Sequence, residues 1–527
     1  MGTARQRDMN MPPRQFLAHR RVLAAILACS VHAGVQPARA QRAVVAAPGL
    51  SPAQVTEAPA RAMTLDDAID LAEARSEQIA IAQFGVARAM AGEQRARSER
   101  LPQLAAAASY DRTLRSEFSG LFSGESGGSG DGGFGDFSDL PFGQANAFRV
   151  NLAFSQALYA GGRIDAQQRL AAVGRTAANS SLRSARAQLV LDTTQAFYDA
   201  ALTDRLVAIA EASLQQAEAT LAQVELAYAA GRSPEFEALR ARVARDNQRP
   251  SVIRARANRT IAYLRLKQLL EIPAPQAVTV AAELDDATLE PPPRFATRLA
   301  AVTAVPASQT AAERVPVQQA MSAVQAREAA LRIVKSQRRP YVSLNSAFGE
   351  VAYSAAPGFD DWRTNWTVGA SVQIPIFTGG RLKAEEMGAA ADVGEAAARR
   401  KLTIELAEAE TEATLALLDA AVATWQASAG TVEQAARAYN IAELRYREGI
   451  STQLELLDAR LVLQLAQVNR AQAARDVQVA RARVSLLPDL PLGNAAVDAA
   501  GSAGAMAQTV AQAGAAAGGA GTGGGIR

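Results

Sequence analysis

The chain contains two copies of one sequence plan. Tyr159–Arg163 (YAGGR) recurs as Phe377–Arg381 (FTGGR), and Tyr228–Gly231 (YAAG) recurs as Tyr446–Gly449 (YREG). In both pairs, the second copy of the motif follows the first after the same number of residues. We call this separation the downstream offset; it carries Tyr159 onto Phe377. An internal duplication of this length indicates that each half follows the same structural plan.

Upstream of these motifs the separation of the copies is larger. Leu101–Leu104 (LPQL) matches Arg339–Val342 (RPYV), which defines an upstream offset that carries Leu101 onto Arg339. The first copy is therefore about 20 residues longer between the two motifs, and residues 119–139, rich in Gly and Ser, account for the excess as an enlarged loop. Each copy reads as helix, strand pair, long helix and returning helix.

The apolar periodicity predicts very long helices. The first copy opens with a helix over 65–100 and continues with one over 164–229, about 100 Å long at about 1.5 Å per residue. No compact core is that wide, so this helix must line something elongated. A large/small pairing at seven-residue spacing predicts coiled-coil packing. Its members are Val207, Leu214, Leu221 and Tyr228 with Ala210, Ala217 and Val224, and Trp425, Val432, Tyr439 and Tyr446 with Ser428, Ala435 and Ala442.

Between the helices, strands of about 10 residues alternate apolar with small or polar side chains, a pattern typical of outer-membrane barrel strands. Upstream partners over 103–115 and 341–353 give four strands per chain, and small barrels need about eight. Closure therefore requires oligomerisation, and three copies supply twelve strands. A soluble two-stranded ribbon beside a coiled coil is the alternative. The residues predicted to face lipid are Phe148, Val150, Leu152, Phe154, Trp366, Val368, Val372 and Ile374.

Residues 1–40 have the order of a secretory signal peptide: arginines, a short apolar run and the small-residue site Ala38–Ala40, with cleavage expected before Gln41. A lipoprotein signal acylated at Cys29 is the alternative. This leader holds six of the 55 basic and one of the 52 acidic residues, which leaves 49 against 51. The near-neutral remainder argues against a nucleic-acid partner.

Both histidines and the only cysteine, His19, His32 and Cys29, lie in this leader. Processing removes imidazole and thiolate chemistry, zinc sites and disulfides. We expect no enzyme activity, no cofactor and no metal site. An envelope enzyme that uses carboxylates alone would need a pocket of acids, whereas the acids here are scattered along long helices.

Several motifs together resemble the TolC-like outer membrane efflux family, also called outer membrane factors. Met63–Ala72 looks like the family's N-terminal helix opening, Leu101–Leu104 its entry into the first strand, and the two Gly-Gly-Arg motifs its strand-to-helix junctions. The resemblance extends over about residues 63–491. It implies a mainly α fold with a membrane β-barrel: duplicated long helical hairpins and four strands per chain, which close in a homotrimer as a 12-stranded barrel above a 12-helix tunnel.

The predicted organisation is a signal peptide (1–40), an N-terminal linker (41–62), a first repeat (63–273), a linker or equatorial segment (274–312), a second repeat (313–492) and a disordered Gly/Ala-rich tail (493–527). The resemblance implies a location in the outer membrane of a Gram-negative bacterium, with the tunnel in the periplasm.

Three groups of residues are candidate sites. The strand-to-helix junctions need glycine backbone angles; they are Gly161, Gly162, Arg163, Gly379, Gly380 and Arg381. The hairpin tips pair a helix stop with a helix start: Gly suits the left-handed position after a helix, Ser233 can cap the helix that follows the first tip, and Pro234 suits the first turn of that helix. In the family these tips meet a periplasmic adaptor; the candidate docking residues are Tyr228, Gly231, Arg232, Ser233, Tyr446, Gly449 and Ser451. Pure turn chemistry is the alternative for each tip residue.

Glu455 and Asp458 resemble the family's ring of acids at the tunnel constriction. Their spacing of three residues places both on one helical face, and three copies would form an acidic collar that favours cations. The alternative is a capping box of Thr452 and Glu455 with an acid near a helix N-terminus. In the first copy the counterparts are Glu237 and Arg240, so only one keeps its charge.

The function implied is a passive channel subunit of a tripartite efflux pump or type I secretion system, gated at its periplasmic end. Its partners would be a periplasmic adaptor (membrane fusion) protein, an inner-membrane transporter that supplies energy, and outer membrane lipid. The competing interpretation is a periplasmic coiled-coil adaptor, which would have one helical hairpin rather than two.

Overall fold

The computed structural model describes residues 62–114, 146–282, 284, 289–354 and 362–493. The described residues belong to one compact unit, Ala60–Arg527. The predicted leader, the loop at 119–139 and the C-terminal tail after Gly493 lie outside the described residues.

The described elements follow the duplicated plan, each half running from a helical entry through a strand pair to a long helix and a returning helix. The first half contains β1 (Ala62–Met63), α1 (Leu65–Arg75), α2 (Glu77–Ser98), β2 (Gln103–Arg112), β3 (Asn146–Tyr159), α3 (Arg163–Ala229) and α4 (Glu235–Leu269). After β4 (Thr279–Val280), α5 (Pro293–Thr303) and α6 (Ala307–Glu313), the second half contains α7 (Val315–Ser336), β5 (Tyr341–Ser354), β6 (Arg363–Gln373), α8 (Arg381–Arg447) and α9 (Gln453–Leu486).

The two long helices have the same length. Both α3 and α8 contain 67 residues, which corresponds to about 100 Å each. α3 packs against α4 and α9, α8 packs against α9, and α7 contacts both long helices. The large/small seam is buried as predicted at Ala210, Ala217, Leu221 and Val224 in the first half, and at Ala435 and Tyr439 in the second.

The first predicted helix, over 65–100, is wrong in one respect: it is two helices. The backbone at Ser76 has φ −56° and ψ 120°, which ends α1. The hydroxyl of Ser76 then accepts a hydrogen bond from the backbone N–H of Ile79 and caps α2. A serine hydroxyl can accept a backbone N–H in place of a helical carbonyl. One helix can therefore end and another begin at Ser76 although the apolar pattern continues.

The four longer strands form one antiparallel sheet in the order β2-β3-β5-β6, as the sequence predicted for the strand pairs. β3 and β5 join the two repeats at the centre of the sheet, and β2 and β6 are its edges. β6 ends at Gln373, opposite Tyr341 at the start of β5. Ile374 therefore lies beyond the strand in which it was predicted, because β5 offers no residue opposite it.

The main hydrophobic core lies where α1, α3, α4 and α9 meet. Ile69, Phe197, Leu266 and Val477 are almost fully buried there. The segment predicted as a linker, 274–312, contributes Phe295 of α5 to this core. Its position against the helices indicates that it stabilises the helical part of the molecule rather than only connecting the repeats.

A buried ion pair fixes the start of the second repeat. Arg314 is fully buried; its guanidinium lies 3.1 Å from the Glu410 carboxylate and donates to the carbonyl of Ala407 at 3.3 Å. Burial lowers the pKa of Arg314 from its usual value, and the Glu410 charge opposes that shift. The second oxygen of Glu410 accepts the backbone N–H of Gly493 at 3.2 Å. One carboxylate thus connects α7, α8 and the segment after α9.

Two core tyrosines make stability sensitive to alkaline pH. Burial raises the pKa of Tyr198 to about 12, and burial together with a hydrogen bond to Asp204 raises that of Tyr263 to about 12, from 10.0. The folded chain therefore keeps protons that the unfolded chain releases, so stability is complete below pH 10 and decreases as the pH rises toward 12. We expect each tyrosine to remove on the order of 1–2 kcal/mol over that interval.

This expectation is checked by urea unfolding followed by helical circular dichroism at pH 8, 10 and 12. The Tyr198→Phe/Tyr263→Phe double variant should begin less stable, because the hydrogen bond to Asp204 is lost, but should lose less stability with pH. An equal pH slope in the wild type and the double variant would contradict the assignment.

Candidate functional site: sheet faces, junctions and hairpin tips

The sheet has a mainly apolar face, interrupted by Ser346, Glu350 and Thr364, and a polar face. Cross-strand partners place Leu152 beside Ala106 and Phe348, and Phe348 beside Trp366, on the apolar face. Ser346 lies on the same face and accepts a hydrogen bond from the Trp366 indole N–H at 3.1 Å. Of the predicted lipid-facing residues, seven share this face: Phe148, Val150, Leu152, Phe154, Trp366, Val368 and Val372.

The opposite face is polar. Ser343 and Ser371 share a hydrogen bond of 2.8 Å across β5 and β6, and Asn345 donates to Ser343 at 3.2 Å. Toward the loop end, Arg149 forms an ion pair with Asp111. A sheet with one apolar and one hydrogen-bonded polar face can separate hydrocarbon from water.

The strand-to-helix junctions use left-handed backbone, as predicted. Gly161 and Gly162 have φ of 62° and 89°, and Gly379 and Gly380 have φ of 58° and 86°. Each second glycine is the N-cap residue directly before the long helix. Side chains disfavour this conformation, so the four glycines turn the chain sharply from the sheet into the helices.

The arginines that follow the glycines differ in their surroundings. Arg163 lies over the Tyr341 ring, 5.4 Å from its centroid, whereas Arg381 forms an ion pair with Glu385 at 2.6 Å. The first junction is therefore tied to the second repeat, and the second junction is tied to its own helix.

Both hairpin tips end a long helix with a left-handed glycine. Gly231 has φ 69° and Gly449 has φ 72°. At the second tip the N–H of Ile450 donates to the carbonyl of Arg445 at 2.8 Å, and the first tip has the equivalent bond from Arg232 to Ala227 at 2.9 Å. These six-residue closures satisfy the last helical carbonyls and confirm the turn chemistry predicted for both glycines.

The start of the helix after the first tip differs from the prediction. Pro234 occupies the N-cap and provides no side-chain cap, and α4 begins at Glu235. Ser233 is one residue too early to cap, and its hydroxyl instead donates to the Glu237 carboxylate at 2.6 Å. At the second tip Thr452 does cap: its hydroxyl accepts the backbone N–H of Glu455 at 3.4 Å.

The tip residues differ in exposure. Tyr228, Gly231, Arg232 and Gly449 are exposed, and Ser233, Tyr446 and Ser451 are half-buried. The Tyr446 ring packs between the two hairpins, against the clusters that contain Leu221 and Leu456. Burial raises the pKa of Tyr446, and the nearby Glu237 charge raises it further. Tyr446 therefore has a packing role in addition to any docking role.

Glu455 and Asp458 lie in the first two turns of α9, both exposed. The structure thus brings the two acids onto the solvent-facing side of the second hairpin, close to its tip. The alternative role for Glu455 was a capping box with Thr452. One of the two hydrogen bonds of such a box is present, from the backbone N–H of Glu455 to the Thr452 hydroxyl. Both a pore-lining and a capping role are compatible with this position.

Sequence reasoning missed Arg460 as a member of this region. Arg460 is buried beside Tyr439, and burial lowers its pKa. Its counterpart in the first copy, Arg242, is exposed and forms an ion pair with Glu225 at 2.8 Å. The recurrence of an arginine at the downstream offset was the available signal, but the burial of only one copy depends on tertiary packing.

The described residues contain no cluster of three or more His, Cys, Asp or Glu side chains suited to a metal ion. No described helix combines the length and the apolarity needed to cross a membrane.

Comparison with known proteins identifies the class. The outer membrane efflux protein family matches residues 68–271 and 307–487, which is most of the chain and both repeats. The chain therefore belongs to this family, and the predicted resemblance and the predicted outer membrane location are confirmed. This membership and the two hairpins argue against the single-hairpin adaptor interpretation.

Individual relatives are more distant. The chain is 26% identical to nodulation protein T of Rhizobium leguminosarum bv. viciae, over 59% of this chain and 62% of the relative. It is 28% identical to the pyoverdine export outer membrane protein OpmQ of Pseudomonas putida (50% and 54%) and 28% identical to outer membrane protein OprJ of Pseudomonas aeruginosa (60% and 64%). Each match spans less than two thirds of the relative's length.

Solved structures share the fold. The outer membrane protein VceC of Vibrio cholerae superposes with a TM-score of 0.64 at 21% identity, over 80% of this chain and 96% of VceC. The MtrE outer membrane channel of Neisseria gonorrhoeae gives a TM-score of 0.64 at 19% identity, over 81% and 89%. These structures support the arrangement of helices and strands described above.

The packing of Tyr446 generates a test. Tyr446→Ala should increase backbone hydrogen exchange at 221–224, 238–241 and 456–463, because it removes the ring between the hairpins, at a cost of about 1–3 kcal/mol. Tyr446→Phe keeps the ring and should exchange like the wild type. Unchanged exchange in Tyr446→Ala would show that the ring does not hold the hairpins together.

Proposed function

We propose that the chain is the outer-membrane channel subunit of a tripartite efflux pump or type I secretion system. Three copies would combine their sheets into a 12-stranded barrel and their long and returning helices into a 12-helix periplasmic tunnel. The observation that carries this proposal is the four-stranded sheet with one apolar face, one polar face and two edges that have no partner strand among the described residues.

The sheet geometry supports a pore rather than a soluble ribbon. Four strands are too few for a barrel, since even small barrels need about eight. A transmembrane barrel strand is about 9–11 residues long, and β2 and β6 contain 10 and 11 residues. With the apolar face toward lipid, the polar face carrying Asn345 and Ser371 would line water.

The helices supply the periplasmic part of the conduit. Helices of 67 residues span about 100 Å, far more than the bilayer core of about 30 Å. The hairpin tips Gly231–Ser233 and Gly449–Ser451 would then form the mouth that meets a periplasmic adaptor. An inner-membrane transporter would supply the energy, because the sequence has no recognisable phosphate-binding loop.

The acids near the second tip would set the selectivity of this mouth. Glu455 and Asp458 are exposed, and three copies would bring six carboxylates together at the narrow end. Rings of acidic side chains favour cations and oppose anions in pores. The capping role of Thr452 uses the backbone of Glu455, so the Glu455 side chain stays available for this purpose.

Planar-bilayer conductance tests the proposal. The wild type should form small cation-selective channels, and Glu455→Gln/Asp458→Asn should reduce the cation-to-anion permeability ratio several-fold without closing the channel, because it removes charge but keeps size. The control is Glu395→Gln, an exposed acid near the other end of α8, which should leave selectivity unchanged.

Two results would count against the proposal in different ways. A conducting double variant with the selectivity of the wild type would remove Glu455 and Asp458 from the gate but keep the channel. An absence of conductance in the purified wild type would contradict the channel itself.

A further inference from the structure

We propose that the edge strand β6 pairs with β2 of a second copy in one fixed register, in which Val372 lies opposite Ala108. The proposal rests on the trimer proposed above and specifies which residues of neighbouring copies meet. It follows from the internal duplication. Within one chain, β3 of the first repeat pairs with β5 of the second, whereas the strands equivalent to them, β6 and β2, lie at the two opposite edges of the sheet.

The repeat offsets are obeyed by the strands themselves. In the first hairpin, Leu104 of β2 lies opposite Phe154 of β3. The upstream offset carries Leu104 onto Val342, and the downstream offset carries Phe154 onto Val372. Val342 and Val372 lie opposite each other in the second hairpin. The offsets read from sequence motifs therefore describe the backbone register of the sheet.

The same operation predicts the contact between copies. β3 and β5 join the repeats, with Phe154 opposite Ser346. The downstream offset moves Phe154 forward onto Val372, and the upstream offset moves Ser346 back onto Ala108. Within one chain these residues lie on the two opposite edges of the sheet, so they can meet only across two copies.

This register keeps the faces of the sheet continuous. The next pair on the same face along β6 would be Ala370 and Tyr110, again from the apolar face on both strands. A shift by one residue would instead turn the apolar face of one copy onto the polar face of the next. The sheet-wide alternation therefore agrees with the register obtained from the duplication.

The point at which β6 ends agrees with this register. In the first repeat, β3 continues beyond Ser155, the last of its residues that pairs with β2. The residues that follow, Gln156, Ala157 and Tyr159, pair with β5 alone. Their counterparts in the second repeat are Ile374, Pro375 and Phe377, which follow the end of β6. β2 is the other edge strand of the described sheet, and β2 of a second copy would extend β6 through these residues.

The segment after β6 carries apolar side chains that this pairing would cover. Ile374, Ile376 and Phe377 are 56%, 96% and 89% exposed in one chain. Such a run of exposed apolar residues beside an open strand edge favours pairing with another strand.

The junction glycines indicate the same neighbour. A Cβ atom on Gly161 would lie 2.7 Å from the Cβ of Arg339 and 2.9 Å from the carbonyl oxygen of Ser336, whereas a Cβ on Gly379 would meet no atom within 4 Å among the residues that the structure describes. The counterparts of Ser336 and Arg339 are Ser98 and Leu101, and Leu101 is 59% exposed. We therefore place Ser98 and Leu101 of the second copy against Gly379.

Disulfide cross-linking tests the register. The only native cysteine is Cys29, and the unsubstituted protein serves as the background control. Directly opposed antiparallel residues have Cα atoms about 4.5–5.5 Å apart, within the range that a disulfide spans. Ala108→Cys/Val372→Cys should therefore oxidise in the outer membrane to covalent dimers and trimers on a denaturing, non-reducing gel.

Two control variants each keep one cysteine of the matched pair and place the second cysteine at a position that the proposed register does not bring opposite it. Leu104→Cys/Val372→Cys and Val368→Cys/Ala108→Cys separate the thiols by four residues along the strand, about 13 Å, and should remain monomeric on the gel. The counterpart within one chain, Phe154→Cys/Ser346→Cys, should lose its free thiols without an increase in mass, which shows that opposed positions in this sheet can be bridged.

The outcomes separate this inference from the proposed function. Covalent oligomers from the matched pair alone support the register. Cross-linking by a mismatched pair, or none by the matched pair in a protein that still conducts, overturns the register but leaves the channel intact. A non-conducting protein in which only the Phe154→Cys/Ser346→Cys bridge forms would overturn both.

Discussion

The backbone hydrogen bonds at the two edges of the sheet constrain everything else in this molecule. Within the described chain, β2 and β6 each have a partner strand on one side only. Backbone N–H and C=O groups in hydrocarbon need internal partners, because each unsatisfied group costs several kcal/mol. An apolar face next to an open edge is therefore incomplete as a membrane structure, and other copies of the chain provide the simplest completion.

In the proposed trimer, the duplication would solve this problem with one interface used twice. Within one chain, β3 and β5 join the repeats and Gly161 packs tightly on Arg339. Between the copies of the proposed trimer, the equivalent surfaces would be β6, β2, Gly379 and Leu101. The two uses are not chemically identical, since the guanidinium of Arg339 donates to the Gly161 carbonyl at 3.2 Å and leucine has no such donor. The contact inside the chain would thus be the more polar of the two.

The sequence predicted the parts of the fold that depend on periodicity. The long helices, the buried seam at Ala217 and Val224, the strand pairs and the shared face of Phe154 and Trp366 all follow from spacings of seven or two residues. Such patterns report which side of an element faces its neighbours, and that information is local.

Features set by a single contact were not predictable in this way. The break at Ser76 depends on one side-chain hydrogen bond, and the uncapped start at Pro234 depends on a shift of one residue. The end of β6 at Gln373 depends on where β5 begins, and the burial of Arg314 and Arg460 depends on helices distant in sequence. For the candidate site, the sequence located both tips and both acids but could not show that Tyr446 lies between the hairpins.

The central claim is that one chain is a third of a closed structure. The most direct measurement is native mass spectrometry of the detergent-extracted protein, with the detergent removed in the gas phase. The account predicts one dominant species of three chain masses. A dominant monomer that keeps its helical content would contradict it, because the sheet would then exist with both edges open.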